Sequence, residues 1–244
     1  MSNLRSRPVA RAPVRQNVDV TNVFSLDRPV YGIAQAAQLL GLRPDRARAW
    51  LDGYTRSGTH YPPVVRDVTT KSDLVTWGEF VELGYLRGYR QAAVALQRIR
   101  PVIARLRKEY HTPYPLAHYR PWVYDKELVL EAQEAEGLPS SLAIVVRTGQ
   151  EIMLSDVAKG FMRRVEFDGD TARRWLPLGE FSPVVVDPSV AFGMPNVDGI
   201  STERLYELVV AGESLSEVAN GYDISIDLLR NACAYEEMAR RLAA

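Results

Sequence analysis

The stretch that decides the fold is residues 31–53, YGIAQAAQLLGLRPDRARAWLDG, in which two short amphipathic segments meet at Gly41. The first segment repeats apolar residues at helical spacing, and Gly41 tolerates the positive φ that a helix end requires. Pro44 suits the first turn of a second helix, because an N–H at that position has no partner within the helix. Two short helices joined by a short glycine-containing turn predict a helix-turn-helix.

The second helix has one apolar face and one basic face. Its predicted buried positions are Ala47, Trp50, Leu51 and Tyr54, at i, i+3, i+4 and i+7. The residues predicted to face outward are Asp45, Arg46, Arg48, Ala49 and Asp52. A basic helix of this kind fits the major groove of DNA, where arginine binds guanine edges or phosphates bidentately. It also fits a solvated basic face on a small helical core, and the pattern leaves both interpretations open.

Charge is distributed unevenly along a chain whose net charge is zero. Residues 1–110 hold 18 Lys and Arg against 9 Asp and Glu, whereas residues 186–244 hold 4 against 10. This asymmetry indicates a polyanionic partner for the N-terminal part and a basic or neutral partner for the C-terminal part. The first 24 residues are rich in arginine without apolar periodicity, which predicts a flexible basic arm.

A β-hairpin, or wing, is predicted after the helix pair. The strand-like segment PVVRDV (63–68) and the segment DLVTW (73–77) flank polar residues that would form its tip. With the second helix, the wing completes the predicted DNA-binding set: Arg43, Arg46, Arg48, Arg66, Thr70 and Lys71. Thr76 and Glu79 then have the spacing of a capping box at the start of a further helix.

The sequence predicts an α+β, mainly α chain with four parts. These are the arm (1–24), a winged helix-turn-helix with connector helices (25–112), a small β-rich middle (113–186) and a C-terminal trihelical, helix-turn-helix-like unit (187–244). In the connector, Pro101 is expected to kink or interrupt the second helix. In the middle part, Gly149 and the pair Asp168-Gly169 mark two hairpin turns, and FSPVVVDPS is expected to add a strand. In the last part, Ser214 and Glu217 form a second predicted capping box.

The segment YGIAQAAQLLGLRPDRARAW resembles the N-terminal winged helix-turn-helix of MerR-type regulators. The shared features are the aromatic-x-Ile start, the Ala-Ala pair and the Leu-Leu-Gly turn. The basic residue of that family falls on Arg48 and its aromatic residue on Trp50. The glycine-tyrosine-arginine signature of the family's wing is missing from YPPVVRDVTTKSD.

A second resemblance covers nearly the whole chain. The segment VVVDPSVAFGMPNVDGISTERLYELVVAGESLSEVANGYDISIDLLRNACAYEE resembles the short antitoxin domain of VapB-type antitoxins, and VTWGEFVELGYLRGYRQAAVALQRIRPVI resembles the helical segment that precedes it. VDGIST departs from the glycine-threonine-arginine turn that is usual there. The resemblance implies a protein that represses its own operon and neutralises a PIN-domain ribonuclease toxin. The residues expected to bind that partner are Glu203, Glu207, Glu213 and Glu217, although the same acids also fit a plain solvated face.

Other classes of protein fit the sequence less well. There is no apolar run of the length that a transmembrane helix needs, and the single cysteine fits a reducing cytoplasm. His60, His111 and His118 lack metal-ligand spacing with one another or with Cys233, which lies on an apolar helix face. No phosphate-cradling glycine loop is present, so we expect no enzymatic activity, metal or cofactor. A homodimer is expected, because two recognition helices read a palindrome better than one. A stand-alone regulator, perhaps from a mobile element, whose C-terminal part dimerises or binds protein, and a pure interaction module remain as alternatives.

Overall fold

The computed structural model describes residues 26–91, 93–118, 145–147, 151–153, 160–161 and 163–243. This part of the chain contains seven α-helices and five two-stranded antiparallel sheets, so the predicted α+β class is confirmed. None of these helices is long and apolar enough to cross a membrane. The predicted basic arm, residues 1–24, lies outside the described residues.

The elements follow one another in short units. The first group is β1 (Pro29–Gly32), α1 (Ile33–Leu39), α2 (Pro44–Asp52), β2 (Tyr54–Arg56), β3 (Thr59–Tyr61), β4 (Leu74–Thr76), α3 (Trp77–Gln91) and α4 (Leu96–Tyr110). The second group is β5 (Val145–Arg147), β6 (Glu151–Met153), β7 (Val165–Asp168), β8 (Thr171–Trp175), β9 (Asn196–Val197), β10 (Ile200–Ser201), α5 (Thr202–Val210), α6 (Leu215–Gly221) and α7 (Ile226–Ala243). Strand β1 pairs with β4, and each other strand pairs with its neighbour in the sequence.

The predicted helix pair is present, and the turn between α1 and α2 has a complete hydrogen-bonded cap. Gly41 has a φ of +58°, its N–H donates to Gln38 O, and the Leu42 N–H donates to Ala37 O. These two bonds form a Schellman motif, which satisfies carbonyls that the end of α1 would otherwise leave unpaired. Pro44 occupies the first turn of α2, as predicted.

The hairpin prediction is wrong in its position. Residues 63–68 form no strand, because the N–H groups of Val64 and Val65 donate to Trp50 O and fix this segment against the end of α2. Leu74–Thr76 is a strand, but it pairs with β1. The hairpin of this region is formed by β2 and β3 and turns at Ser57-Gly58.

Helix α3 is the centre of the first hydrophobic core, and it is buried along nearly its whole length. Thr76 and Glu79 cap its start reciprocally, which confirms the predicted capping box. The Trp77 indole donates to Ala172 O at 2.7 Å, so the β7–β8 hairpin packs on the same helix as the helix-turn-helix. Gly84 lies so close to the ring of Phe161 that a Cβ there would come within 2.0 Å of it.

Helix α4 confirms the apolar stripe expected of it and corrects one detail. Its side chains Ile99, Val102, Ile103 and Leu106 are all buried. The helix runs continuously from Leu96 to Tyr110 with Pro101 inside it. Of the two predicted effects of Pro101, a kink or an interruption, the interruption is therefore wrong.

The middle of the chain contains both predicted hairpins. Strands β7 and β8 pair on either side of Asp168 and Gly169, which has a φ of +58°. Strands β5 and β6 also pair, although their turn, residues 148–150, lies outside the described residues. The strand expected in FSPVVVDPS is reduced to isolated bridges, in which Val186 pairs with Trp175 and Val185 with Asn196.

Helices α5, α6 and α7 pack around a second core, which includes Leu205, Val218 and Leu229. The predicted capping box at Ser214 and Glu217 is present at the start of α6. The Tyr31 hydroxyl in the first core donates to Gly193 O at 2.5 Å, so β1 is bonded directly to the segment that leads into the C-terminal helices.

Candidate nucleic-acid interface

Helix α2 has a buried side and an exposed arginine side. Ala47, Trp50 and Leu51 are buried, as predicted, whereas Arg46 and Arg48 face solvent. Two assignments for this helix are wrong. Tyr54 lies on β2, is 39% exposed and stacks on Tyr61, and Asp52, predicted to face outward, is only 8% exposed.

Two of the exposed arginines pair with exposed carboxylates. Arg43 Nη2 lies 3.0 Å from Asp45 Oδ2, and Arg48 pairs with Asp73. Exposed pairs of this kind contribute little to stability, about 0–1 kcal/mol. A phosphate, which binds arginine in the same bidentate geometry, can therefore replace either carboxylate at low cost.

Arg66 is not at the surface, so its predicted contact with DNA is wrong. Its guanidinium is buried and donates from Nε to Glu79 Oε1 at 2.7 Å, from Nη1 to Asp52 Oδ1 at 2.8 Å and from Nη2 to Leu74 O at 2.7 Å. Burial lowers the pKa of Arg66, but the hydrogen bonds to Glu79 and Asp52 and the charges of these two carboxylates together raise it above its ordinary value. Nη1 also donates to Ser72 O and Nη2 to Glu79 Oε2, both at 3.3 Å, so all five N–H donors of the guanidinium are engaged. The role of Arg66 is to fix the segment that follows α2.

The loop after Arg66 presents Thr70 and Lys71. Their N–H groups donate to Asp52 Oδ1 at 3.1 and 3.2 Å, so the buried end of α2 holds the backbone of this loop. Both side chains are exposed. Through Asp73, the same loop also reaches Arg48. The loop that carries Thr70 and Lys71 is therefore attached to α2 twice, through the hydrogen bonds to Asp52 and through the pair of Asp73 with Arg48.

The structure adds a hairpin that our reading of the sequence missed. Ser57 and Gly58 have φ values of +49° and +77°, as a two-residue type I′ turn requires, and Arg56 and His60 are exposed on the two strands. The signal was the Ser-Gly dipeptide between YTR and THY, two short segments of high β propensity.

A concave basic site lies beside the turn of the helix-turn-helix, and the sequence did not reveal it. Gly41, Arg46 and Trp50 form one side, and Arg87 and Arg90 from the last turns of α3 form the other. Arg87 is half-buried; its burial and the positive charge of Arg164 both lower its pKa. No regular spacing links these arginines, because only the packing of α3 against the helix pair brings them together.

The four predicted partner-binding acids are all exposed in the C-terminal region. Glu203 and Glu207 lie one turn apart on α5, and Glu213 follows that helix. Glu217 accepts hydrogen bonds from the hydroxyl and the N–H of Ser214, and these bonds lower its pKa. The capping box therefore engages Glu217, and Arg204 lies among the acids with its Nε donating to the Tyr222 hydroxyl at 3.2 Å.

Comparison with known proteins shows which family this chain belongs to. Residues 29–103 match the family model described as "Putative DNA-binding HTH domain", which confirms the predicted helix-turn-helix. "Uncharacterized protein Rv2308" of Mycobacterium tuberculosis is 33% identical over 245 residues, covering 95% of this chain and 100% of that protein. The chain belongs to the Rv2308 family.

Two further proteins resemble this member of the Rv2308 family over most of its length. "Putative antitoxin VapB45" of Mycobacterium tuberculosis is 28% identical over 225 residues, covering 84% of this chain and 93% of that protein. The crystal structure of Rv2018 from Mycobacterium tuberculosis superimposes with a TM-score of 0.64 at 26% sequence identity, covering 85% of this chain and 99% of that one. The name of the first agrees with the resemblance to VapB-type antitoxins.

Proposed function

We propose that this chain is an antitoxin-like transcriptional repressor that binds the DNA upstream of its own gene. The observation that carries the proposal is the exposed arginine side of α2, held in a helix-turn-helix that matches a DNA-binding family model. A major groove about 12 Å wide admits such a helix. In this arrangement Arg46 and Arg48 contact base edges or phosphates, while Arg43 and Lys71 contact the flanking backbone.

The hairpin formed by β2 and β3 takes the place of the wing in this proposal. Its two strands project Arg56 and His60 into solvent directly after α2. A homodimer would place two copies of α2 one turn of the duplex apart, as a palindromic operator requires. The predicted wing segment is folded against the end of α2, so this proposal uses the resemblance to MerR-type regulators for the helix pair alone.

The C-terminal region, residues 187–244, is proposed to bind protein and not DNA. Residues 186–244 carry 4 Lys and Arg against 10 Asp and Glu, and attraction to phosphate dominates DNA affinity. The exposed acids Glu203, Glu207 and Glu213 would face a basic surface of a PIN-domain ribonuclease toxin. Similarity to a protein named as an antitoxin supports this part of the proposal. The chain would act in the cytoplasm, as a regulator without catalytic activity.

A gel shift with the DNA upstream of the gene tests the first half of the proposal. We expect binding that weakens steeply as salt is raised, because counterions are released when arginines neutralise phosphates. Binding that is absent at low salt would rule out the DNA-binding function.

Co-expression with the neighbouring gene tests the second half. A PIN-domain protein that co-purifies with this chain, and loses its ribonuclease activity on doing so, would support the antitoxin role. DNA binding without such a partner would favour the stand-alone regulator, which uses the same helix-turn-helix.

A further inference from the structure

The concave basic site beside the helix-turn-helix contains an unusual concentration of positive charge. Arg46 contributes from α2, and Arg87 and Arg90 contribute from α3. Its other lining residues are uncharged, among them Gly41 and the indole of Trp50. The site therefore combines three guanidinium groups without a carboxylate.

Arg87 is the residue whose charge most needs a partner. In the described part of the chain, no carboxylate forms an ion pair with Arg87 or Arg46, in contrast to Arg43 and Arg48 on the same surface. Arg87 is also half-buried with the charge of Arg164 nearby. Partial burial of an unpaired cation costs free energy, which an anion bound in the site would recover.

The turn at Gly41 leaves room for the Arg87 guanidinium. A Cβ on Gly41 would lie 3.2 Å from Arg87 Nη2, so the absence of a side chain lets the guanidinium lie against the turn. Arg90 Nη1 donates to Val94 O at 2.6 Å, which holds that side chain at the rim of the site. Two of the three arginines are thus positioned before any ligand binds.

We propose that this site binds one phosphate of the DNA backbone and thereby fixes the position of α2 in the groove. Arg46 belongs to both the exposed side of α2 and the basic site, so the site opens beside the surface proposed to face DNA. Phosphate contacts of this kind set register and orientation without reading sequence. The inference rests on the proposed DNA-binding function and adds a contact from α3, outside the helix pair.

The test measures DNA affinity of the full chain as a function of salt, on the upstream DNA and on a random duplex of equal length. Arg87→Ala and Arg90→Ala are compared with wild type. Arg230→Ala serves as a control that removes one exposed arginine from α7. Arg87→Ala and Arg90→Ala are each expected to lose roughly tenfold in affinity on both duplexes, as the loss of one charge-assisted contact implies. The slope of log K against log salt should become shallower by about 0.9, the value for one phosphate. Arg230→Ala should leave affinity and slope unchanged.

Arg87→Lys and thermal unfolding distinguish this role from a structural one. Arg87→Lys keeps the charge, so it should retain most of the salt slope even though it loses bidentate geometry. If Arg87→Ala unfolds at a lower temperature than wild type, the conclusion is drawn from Arg90→Ala, because Arg90 is exposed and its removal should not destabilise the fold. A structural role would weaken binding without changing the slope, and that result would overturn the proposal.

Three other outcomes distinguish free phosphate from DNA phosphate, and failure of the basic site from failure of the proposed function. If inorganic phosphate alone stabilises wild type and not Arg87→Ala while the DNA salt slopes of both are equal, the site holds free phosphate, which overturns its assignment to DNA. If Arg48→Ala makes the slope shallower and Arg87→Ala and Arg90→Ala do not, the proposed role of the basic site is overturned while the proposed function stands. If wild type shows no salt-dependent binding to either duplex, both fail together.

Discussion

Arg66 Nη1 and Asp52 Oδ1 lie 2.8 Å apart in an ion pair that is almost completely shielded from solvent. Asp52 ends α2, and its carboxylate also accepts the N–H groups of Thr70 and Lys71. Burial raises the pKa of Asp52, but the hydrogen bonds from Arg66 and Thr70 lower it by more than burial raises it. The pKa of Asp52 therefore lies below its ordinary value. The end of the proposed recognition helix and the loop beside it are therefore held by one buried cluster of charges.

Replacing Arg66 should be far more damaging than replacing an exposed arginine. Arg66→Met leaves Asp52 and Glu79 buried without their cation, at an expected cost of about 3–5 kcal/mol in the free energy of unfolding. The matched control is Arg43→Met, which breaks the exposed pair with Asp45 and should lower the free energy of unfolding far less, because solvent screens that pair. Urea unfolding measures both. Equal losses in the two variants would contradict the structural role of Arg66.

Arg48 and Asp73 should have opposite effects on DNA binding. Arg48→Ala removes a cation from the exposed side of α2 and should weaken binding by about 1–3 kcal/mol if it makes a bidentate contact. Asp73→Ala removes the carboxylate that pairs with Arg48, so it should tighten binding. Fluorescence anisotropy with labelled upstream DNA gives both affinities, and thermal unfolding should show little change. Tighter binding by Arg48→Ala would exclude α2 as the recognition helix.

Gly193 should be intolerant of a side chain, unlike Gly199. A Cβ on Gly193 would lie 2.4 Å from Val30 Cγ1, and the bond from the Tyr31 hydroxyl to Gly193 O would have to move with it. Gly199 has a similar φ, +82° against +76°, but its nearest neighbour is Val190 Cγ1 at 3.8 Å. Both alanine variants carry backbone strain of about 1–3 kcal/mol, and only Gly193→Ala adds a steric clash. Calorimetry should therefore show a clearly lower melting temperature for Gly193→Ala than for Gly199→Ala. Equal shifts in the two variants would mean that backbone strain alone accounts for the loss of stability.

Glu82 should make stability depend on pH. It is fully buried, and burial raises its pKa from 4.5 to about 7 despite the nearby Arg107 and the N–H of Leu116. The folded protein therefore binds a proton between these values that the unfolded chain has released, so stability falls as pH rises from about 4.5 to about 7. The contribution is at most about 3 kcal/mol, at 1.36 kcal/mol per pH unit.

Glu82→Gln provides the measurement for this pH dependence. The amide stays neutral throughout, so its melting temperature should decline less than that of wild type between pH 5 and pH 7, a window of roughly 2 units. Parallel curves for the two proteins would show that Glu82 does not titrate in this range.

The helix pair, both capping boxes and the Asp168-Gly169 hairpin could be predicted from the sequence because each depends on residues a few positions apart. Gly41 ends α1 through its own φ, and Ser214 and Glu217 cap α6 through their spacing of three. The wing could not be placed in the same way. PVVRDV has strand-forming residues, but the N–H groups of Val64 and Val65 donate to Trp50 O, and this tertiary contact overrides the β propensity of the segment.

The sequence by itself determined which helices form and that α2 has an arginine side, because helical periodicity is a local property. Only the tertiary structure decided that Arg66, outside that helix, is buried. Arg66 and Arg48 are the same residue type, but their surroundings differ. Arg66 is enclosed by Asp52 and Glu79, whereas Arg48 pairs with Asp73 in solvent. Arg87 joins Arg46 because α3 packs beside the helix pair. The energy of a charge depends on its burial and partners, and residues distant in the sequence set both.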